Sequence, residues 1–360
     1  MSAPAPAASA VTVAGRPALR WRGLSGVWRP RMLAVTAAGL VLLVLAVAVN
    51  VGRGDFPIPL GDVLAALAGG GTRGQQFVVW QLRLPRSLTG ALVGAALGIG
   101  GAITQTVARN PLASPDILGV TAGAGTAAVV VIVLGGGSST VALSAAGLPL
   151  ASLAGGLLTA GLVYGLAWRR GIDGYRLVLV GVGVGAAATA VTSWLLIAAR
   201  IGDAARATVW LTGSLNARGW ENVVPVSIAL LVLVPVALLL AFGLGALQFG
   251  DDTATALGVR VNVARSALIV LAVALTAVAT ASAGPIAFVA LVVPQICLRL
   301  VGAPRPPLLA SAVYGGLLVV VSDLIARTVL PAELPVGIVT AAIGAPYLIW
   351  LLVRGRSARV

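Results

Sequence analysis

The sequence contains no histidine and no lysine, and it has a single cysteine, Cys297. One cysteine excludes an intrachain disulfide, and without histidine the chain lacks the ligands of a Cys/His metal site. The absence of lysine also excludes a phosphate-binding loop of the Gly-x-x-x-x-Gly-Lys-Ser/Thr type, so the chain cannot hydrolyse ATP through one. We therefore expect no catalytic residue, no metal site and no cofactor.

Charged residues are scarce as well. They make up 9% of the chain, whereas hydrophobic residues make up 59% and the mean hydropathy is +1.04. A soluble protein of this composition would expose an apolar surface that it could not hide from water, so the sequence predicts an integral membrane protein. The net charge of +14 does not indicate nucleic-acid binding, because the arginines lie in tails and between apolar runs, without interleaved stacking aromatics.

Long apolar runs dominate the rest of the sequence. A helix of about 20 apolar residues crosses a hydrocarbon core of roughly 30 Å. The pattern predicts an all-α polytopic membrane protein with about ten transmembrane helices in a single transmembrane domain, residues 32–353. The ten runs are Met32–Val51, Leu88–Val107, Ile117–Leu134, Leu148–Trp168, Leu177–Ala199, Val223–Leu244, Ala264–Ala283, Ile286–Leu300, Leu308–Ile325 and Val336–Val353.

The distribution of arginine predicts the orientation. With the basic tail 1–31 in the cytoplasm, sixteen arginines face the cytoplasm and eight face outside, and the opposite orientation would invert this excess. We therefore expect both tails, 1–31 and 354–360, to be cytoplasmic in a multi-pass inner-membrane protein. A cleaved signal peptide is the alternative for the N-terminal segment, but its charged region is long and many spans follow.

Three blocks of sequence are distinctive. They are WQLRLPRSLTGALVGAALGIGGAITQTVARNPLASPDILGVTAGAGT (Trp80 to Thr126), GPIAFVALVVPQICLRL (Gly284 to Leu300) and ELPVGIVTAAIGAPYLIWLL (Glu333 to Leu352). These blocks resemble the permease subunits of the ABC importer family that takes up ferric siderophores, haem and cobalamin. The resemblance implies the fold of the cobalamin permease, a second permease subunit that is identical or related, separate ATPase subunits and an extracytoplasmic substrate-binding protein. It implies a metal chelate as cargo, most often a ferric siderophore, with cobalamin and haem as alternatives.

The segment 248–261, QFGDDTATALGVRV, lies between the sixth and seventh runs on the predicted cytoplasmic side. Its composition predicts two short helices joined by Gly258, with an acidic residue near the first turn, where the helix dipole favours it. An ordinary solvated loop is the alternative. The family resemblance implies instead that the segment couples the permease to the ATPase, through Asp251, Asp252, Ala254, Leu257 and Gly258.

Three arginines are predicted near the outer membrane surface: Arg83 and Arg86, which flank Leu84-Pro85, and Arg327 at the end of the ninth run. Such cations suit an acidic partner, although anchoring at the lipid interface would also account for them. The resemblance implies that they pair with glutamates of the substrate-binding protein.

The translocation path is predicted from residues that interrupt apolar helices. Gly284-Pro285 breaks a helix, which the bilayer tolerates only where the freed backbone faces protein or water. The family resemblance implies that the cytoplasmic gate lies at Gly174 and Tyr175, where Tyr175 could narrow the exit or anchor the chain at the interface. Gln295 stands where many relatives of the resembled family have histidine. The predicted path and gate residues are Gln105, Asn110, Pro111, Gly174, Tyr175, Gly284, Pro285 and Gln295.

Asp323 is an acid within an apolar run, which makes a proton carrier one interpretation and a proton-coupled secondary transporter the competing function. Arg327 follows four residues later, so a structural ion pair along the helix explains the spacing without proton transport. An intramembrane enzyme is disfavoured, because the predicted spans contain no paired carboxylates and no His-based nucleophile pair.

Overall fold

The structure of the protein, a computed structural model, describes residues 18–21, 24–27, 29–54, 56–135, 141–168, 174–329 and 333–356. Helices account for nearly all of this part of the chain, and a short antiparallel hairpin precedes them, β1 (Ala18–Trp21) with β2 (Leu24–Val27). The α-helices are α1 (Pro30–Gly52), α2 (Leu60–Leu67), α3 (Arg73–Phe77), α4 (Leu84–Ala108), α5 (Val120–Leu134), α6 (Val141–Ala167), α7 (Gly174–Ala198), α8 (Ile201–Leu211), α9 (Trp220–Leu239), α10 (Ala241–Leu247), α11 (Asp251–Ala256), α12 (Val261–Ala283), α13 (Val289–Val301), α14 (Leu308–Thr328) and α15 (Val336–Arg356).

The predicted all-helical membrane architecture is confirmed. Among the described residues, seven helices are long and apolar enough to cross a membrane, and three shorter apolar helices lie at Val120–Leu134, Val289–Val301 and Val336–Leu351. Each of the ten apolar runs overlaps one of these helices, although the sixth run also extends into α10. The number of spans and the cytoplasmic position of both ends stay predictions.

The centre of the molecule is built by α4, which packs against α12, α13 and α14. Glycines of α4 allow this approach: a Cβ on Gly94 would lie 2.2 Å from Gly315 O, and one on Gly98 would lie 2.0 Å from Ser311 O. In a bilayer, helix association depends on such close packing, because lipid tails are as apolar as the side chains. The small-residue composition of the second run therefore lets α14 pack directly against α4.

The second run begins earlier than the sequence predicts. A π-helical turn, Val78–Arg83, joins α3 to α4, so that residues 73–108 form one continuous helical stretch. Arg83 and Arg86 thus lie within a helix and not in a loop before it. Pro85 lies inside this stretch and has no N–H to donate; Trp80 O, five residues earlier, accepts instead from Trp220 Nε1 at 2.8 Å.

The eighth run begins later than predicted. Residues 284–288 are not helical, and α13 starts only at Val289, after Phe288 adopts a left-handed conformation with φ 67°. Ser214 N–H donates to Ala283 O, and Gly337 N–H donates to Gly213 O, so neighbouring segments surround the broken backbone. The break at Gly284-Pro285 therefore faces protein, as the bilayer requires.

The coupling segment differs in detail from its prediction. The sixth run is divided at Leu240 into α9 and α10, and a single short helix, α11, follows. Gly258, with φ +80°, joins α11 directly to the long helix α12, so the second of the two predicted short helices is the start of α12. Asp251 and Asp252 stand in the first turn of α11, as predicted.

Candidate coupling and translocation sites

Arg83 caps the end of α1. Its two terminal nitrogens donate to Val51 O at 3.0 Å and to Phe56 O at 2.7 Å, and the residue is 8% exposed. The last carbonyls of a helix have no partner inside the helix, so a guanidinium is a suitable donor for them. This side chain holds the end of α1 against the start of α4.

Asp323 lies at the centre of a buried polar network. Arg86 donates to Asp323 Oδ1 from Nε at 3.1 Å and from Nη2 at 2.9 Å, while Arg327 Nε lies 3.4 Å from Asp323 Oδ2. Asn50 Nδ2 donates to the same Oδ2 at 3.1 Å and its side-chain oxygen accepts from Arg327. The Asp323 side chain is 1% exposed, so the network joins α1, α4 and α14 away from solvent.

The outer arginines are therefore not three free cations. The side chains of Arg86 and Arg327 are only 12% and 7% exposed, and Arg327 also donates to Asn50 O. Glu333 is an exposed acid of this region, and its Oε2 lies 3.8 Å from Arg86 Nη1. A partner could reach these guanidiniums only by exchanging acceptors with Asp323 and Glu333. Asn50 was missed in the sequence analysis, because one asparagine at the end of an apolar run gives no signal of its partner.

The coupling segment is attached to α4 through Asp251. Arg109 Nη2 donates to Asp251 Oδ1 at 2.5 Å, and Arg265 Nη2 donates to the same oxygen at 2.7 Å. Arg109 also donates from Nε to Leu247 O at 3.0 Å. It ends α4 in a left-handed conformation, φ 50°, which is uncommon for a residue with a side chain. We name Arg109, Asp251 and Arg265 the coupling clamp.

The clamp also affects ionisation. The hydrogen bond from Arg265 is the main cause that lowers the pKa of the Asp251 carboxyl below its ordinary value, and the charge of Arg109 adds to it. The other predicted coupling residues surround it: Ala254 is buried, while Asp252 and Leu257 are exposed.

Two predicted path residues meet across α4 and α13. Gln295 Nε2 donates to Gln105 Oε1 at 2.7 Å, and Gln105 Nε2 donates to Leu291 O at 2.9 Å and approaches Ala290 O at 3.4 Å. Pro294 has no N–H and leaves Ala290 O without its helical donor, so Gln105 replaces part of what the proline removes. The amide of Gln295 supplies this contact without an ionisable group.

The other predicted path residues divide between the two ends of the molecule. Asn110 and Pro111 line a polar cavity of about 260 Å³ together with Gln105 and Gln295, next to the coupling segment. Gly284 and Pro285 lie at the opposite end, where a Cβ on Gly284 would be 2.6 Å from Trp210 O. Gly174 begins α7, and the side chain of Tyr175 lies outside the described residues. The predicted path and gate residues therefore do not form a single site in the structure.

A larger cavity of about 580 Å³ separates the clamp from α7. It is lined by Arg109, Asp251 and Arg265 on one side and by Leu177 and Val178 on the other. The cavity therefore lies between the base of α7 and the clamp.

Known proteins identify this architecture. The model of the FecCD transport family matches residues 41–354. The chain is 41% identical over 302 residues to the ferric enterobactin transport system permease protein FepG of Escherichia coli (strain K12), covering 84% of this chain and 90% of that protein. It is 42% identical over 341 residues to the achromobactin transport system permease protein CbrC of Dickeya dadantii (strain 3937), covering 92% and 97%.

A solved structure described as an inward-facing conformation of a metal-chelate type ABC transporter has the same fold. Its TM-score is 0.79 at 29% identity, and the match covers 89% of this chain and 99% of the other. Helix order, buried α4 and family match agree with the resemblance seen in the sequence blocks. The chain is a multi-pass inner-membrane protein and belongs to the FecCD transport family of ABC importer permeases.

Proposed function

We propose that this permease carries a metal chelate inward, namely a ferric siderophore, and that ATP hydrolysis by separate subunits drives the transport. The observation that carries the proposal is the near-complete match to permeases named for ferric enterobactin and achromobactin transport, which covers 84% and 92% of this chain. Cobalamin and haem are the alternative cargoes. The path has no charged residue of its own among the predicted set, which suits a bulky chelate that must pass without being retained.

The coupling segment supplies the surface for the ATPase. Phe249 and Leu257 are 63% and 53% exposed, and Asp252 lies beside them. These residues are at the predicted cytoplasmic end, outside the apolar runs, where exposed large apolar side chains are typical of a protein–protein contact. A movement of α11 would be transmitted to α4 by the clamp and to α12 through Gly258.

Docking of a substrate-binding protein at the outer end would use Arg86 and Arg327. Acidic side chains of the partner would take the place of Glu333 and share the guanidiniums with Asp323. Arg83 contributes indirectly, since its donors are used by the end of α1. A second permease subunit, identical or related, would complete the central path, and membrane lipid would surround the pair.

The test is ATP turnover and uptake by the permease with its co-purified ATPase in liposomes. The candidate binding protein is supplied empty, loaded with a ferric siderophore, or loaded with cobalamin. We expect selective stimulation of ATP turnover by the ferric siderophore form and accumulation of iron inside. Stimulation by the cobalamin form alone would show that cobalamin is the cargo in place of a ferric siderophore. Uptake without any ATPase would contradict the proposal.

A secondary transporter driven by protons is not favoured by the geometry. Asp323 has two arginines and an asparagine as partners and is 1% exposed. A proton carrier must exchange its proton with water on either side, whereas this carboxylate is held as a counter-charge. Uptake that follows a pH gradient in the absence of ATP would restore that alternative.

A further inference from the structure

Four arginines from three segments surround the end of α13. Arg29 and Arg31 lie at the start of α1, Arg299 lies in the last turn of α13, and Arg305 follows it. Arg31 Nε donates to Leu300 O at 2.9 Å, and Arg305 Nη1 donates to Ala241 O at 2.8 Å. We name these four residues the basic corner.

The basic corner has no acidic partner within the described residues. The ion pairs of that part of the chain use other arginines, namely Arg86, Arg109, Arg206, Arg265 and Arg327. Burial lowers the pKa of Arg305, and the positive charge of Arg29 lowers it further, so these two cations are close enough to repel each other. Gathered like charges attract counter-anions.

Aromatic residues place the basic corner at the level of lipid headgroups. The guanidinium carbon of Arg299 lies 6.0 Å from the centre of the Tyr347 ring and 5.5 Å from that of Trp350, and Tyr347 OH accepts a hydrogen bond from Arg299. Tyrosine and tryptophan concentrate at membrane–water interfaces, and Trp350 is 43% exposed. The adjoining helix α1 is the least buried of the seven candidate spans, so lipid has access to this side of the molecule.

We propose that the basic corner binds the headgroup of an anionic phospholipid, with the phosphate between Arg29, Arg31 and Arg299. A planar guanidinium donates two parallel hydrogen bonds to a phosphate, and several of them together select a negatively charged lipid over a zwitterionic one. Arg31 and Arg299 are exposed, so their remaining donors are accessible. This inference concerns the membrane side of the protein and does not depend on which chelate is carried.

The test is native mass spectrometry of the purified permease–ATPase complex titrated with phosphatidylglycerol or phosphatidylcholine of the same acyl chains. We expect the wild type to retain phosphatidylglycerol in preference to phosphatidylcholine. Arg29→Gln with Arg299→Gln should lower the phosphatidylglycerol affinity by about tenfold and leave that for phosphatidylcholine unchanged. This pair spares Arg31, which supports the end of α13 and whose loss could unfold it.

The matched control is Arg53→Gln with Arg73→Gln, which removes the same charge from two exposed arginines at the predicted outer end. It should leave the preference unchanged. An equal effect of both pairs, or a wild type without preference, would overturn the proposal. Displacement of the lipid by millimolar inorganic phosphate would overturn it as well and would show that the basic corner is a site for free phosphate. If the Arg29→Gln with Arg299→Gln variant loses the ATPase subunits but keeps the lipid preference, the basic corner is a contact surface for the ATPase.

Discussion

At the residue scale, the function of an arginine in this protein is decided by the carbonyls and carboxylates that other helices bring to it. The sequence predicts the same role for Arg83, Arg86 and Arg327, that of cations at the outer surface. In the structure Arg83 caps α1, while Arg86 and Arg327 bind Asp323. The buried Asp323 carboxylate lies between the two guanidiniums and supplies their shared counter-charge, while Glu333 lies 3.8 Å from Arg86. Removing one member leaves an uncompensated charge where water cannot solvate it.

Asp323→Asn should therefore destabilise the protein by about 3–5 kcal/mol, because Arg86 and Arg327 lose their shared counter-charge. The measurement is the unfolding temperature of the detergent-solubilised complex. Glu333→Gln is the matched control: Glu333 is about half exposed and 3.8 Å from Arg86, so the expected change is below about 1 kcal/mol. If both substitutions change the unfolding temperature equally, the network around Asp323 is accessible to solvent in the solubilised protein.

At the scale of elements, α4 connects the two ends of the molecule. Its glycines contact α13 and α14, Gln105 supports the kink at Pro294, and Arg109 clamps the coupling segment. We therefore expect a displacement at Arg109 to be transmitted along α4 toward the outer end.

Gly101→Ala tests the packing of α4. The new Cβ would lie 1.8 Å from Ala290 O, so α4 and α13 must separate and the variant should fold poorly or lose several kcal/mol of stability. Gly161→Ala on α6 is the control, since nothing lies within 4 Å of its Cβ position, and helix propensity predicts a small gain. The measurement is the expression level and the size-exclusion elution profile of the two solubilised variants. Normal behaviour of Gly101→Ala would contradict the close approach.

Asp251→Asn tests the coupling clamp. The neutral amide weakens both bonds from Arg109 and Arg265, so ATP turnover should continue while the chelate transported per ATP falls several-fold. Asp62→Asn, an exposed carboxyl of α2 far from the clamp and without an ion pair among the described residues, should leave this ratio unchanged. If Asp251→Asn transports as much chelate per ATP as the wild type, the clamp does not take part in coupling.

The same clamp predicts a pH dependence. Because the pKa of Asp251 is depressed in the folded protein, its contribution is present above the ordinary aspartate pKa and is lost only as the pH falls through the lowered value. Transport per ATP should therefore stay constant from about pH 5 to pH 8 as far as this group is concerned. A decline of that ratio between pH 7 and pH 6 in the wild type, absent from Asp251→Asn, would contradict the depressed pKa.

At the scale of the whole molecule, charged side chains gather at the two ends. The predicted outer end presents guanidiniums already shared with Asp323 and Glu333, while the opposite end carries the clamp and the basic corner. An acidic docking partner must compete with internal carboxylates, which makes its association sensitive to salt and to the charge of Arg86.

Arg86→Glu should accordingly weaken binding of the substrate-binding protein by at least tenfold and flatten its dependence on salt. Affinity measured at several ionic strengths with the reconstituted transporter provides the test. Because Arg86 also pairs with Asp323, the unfolding temperature of the variant is measured beside its affinity, which separates a folding defect from lost docking. Unchanged affinity and salt dependence in a folded variant would place the docking surface elsewhere.

The sequence by itself determined the membrane class, the ten apolar runs and the family, because hydropathy and short motifs are properties of neighbouring residues. It also predicted the Asp323–Arg327 spacing, since one helix turn brings those two side chains together. Only the tertiary structure decided the remaining partners: Arg86 meets Asp323 across 237 residues, Arg109 meets Asp251 across 142, and Gln105 meets Gln295 across 190. Helix packing fixes these contacts, and small-residue patterns show that helices approach closely without showing which side chains will meet.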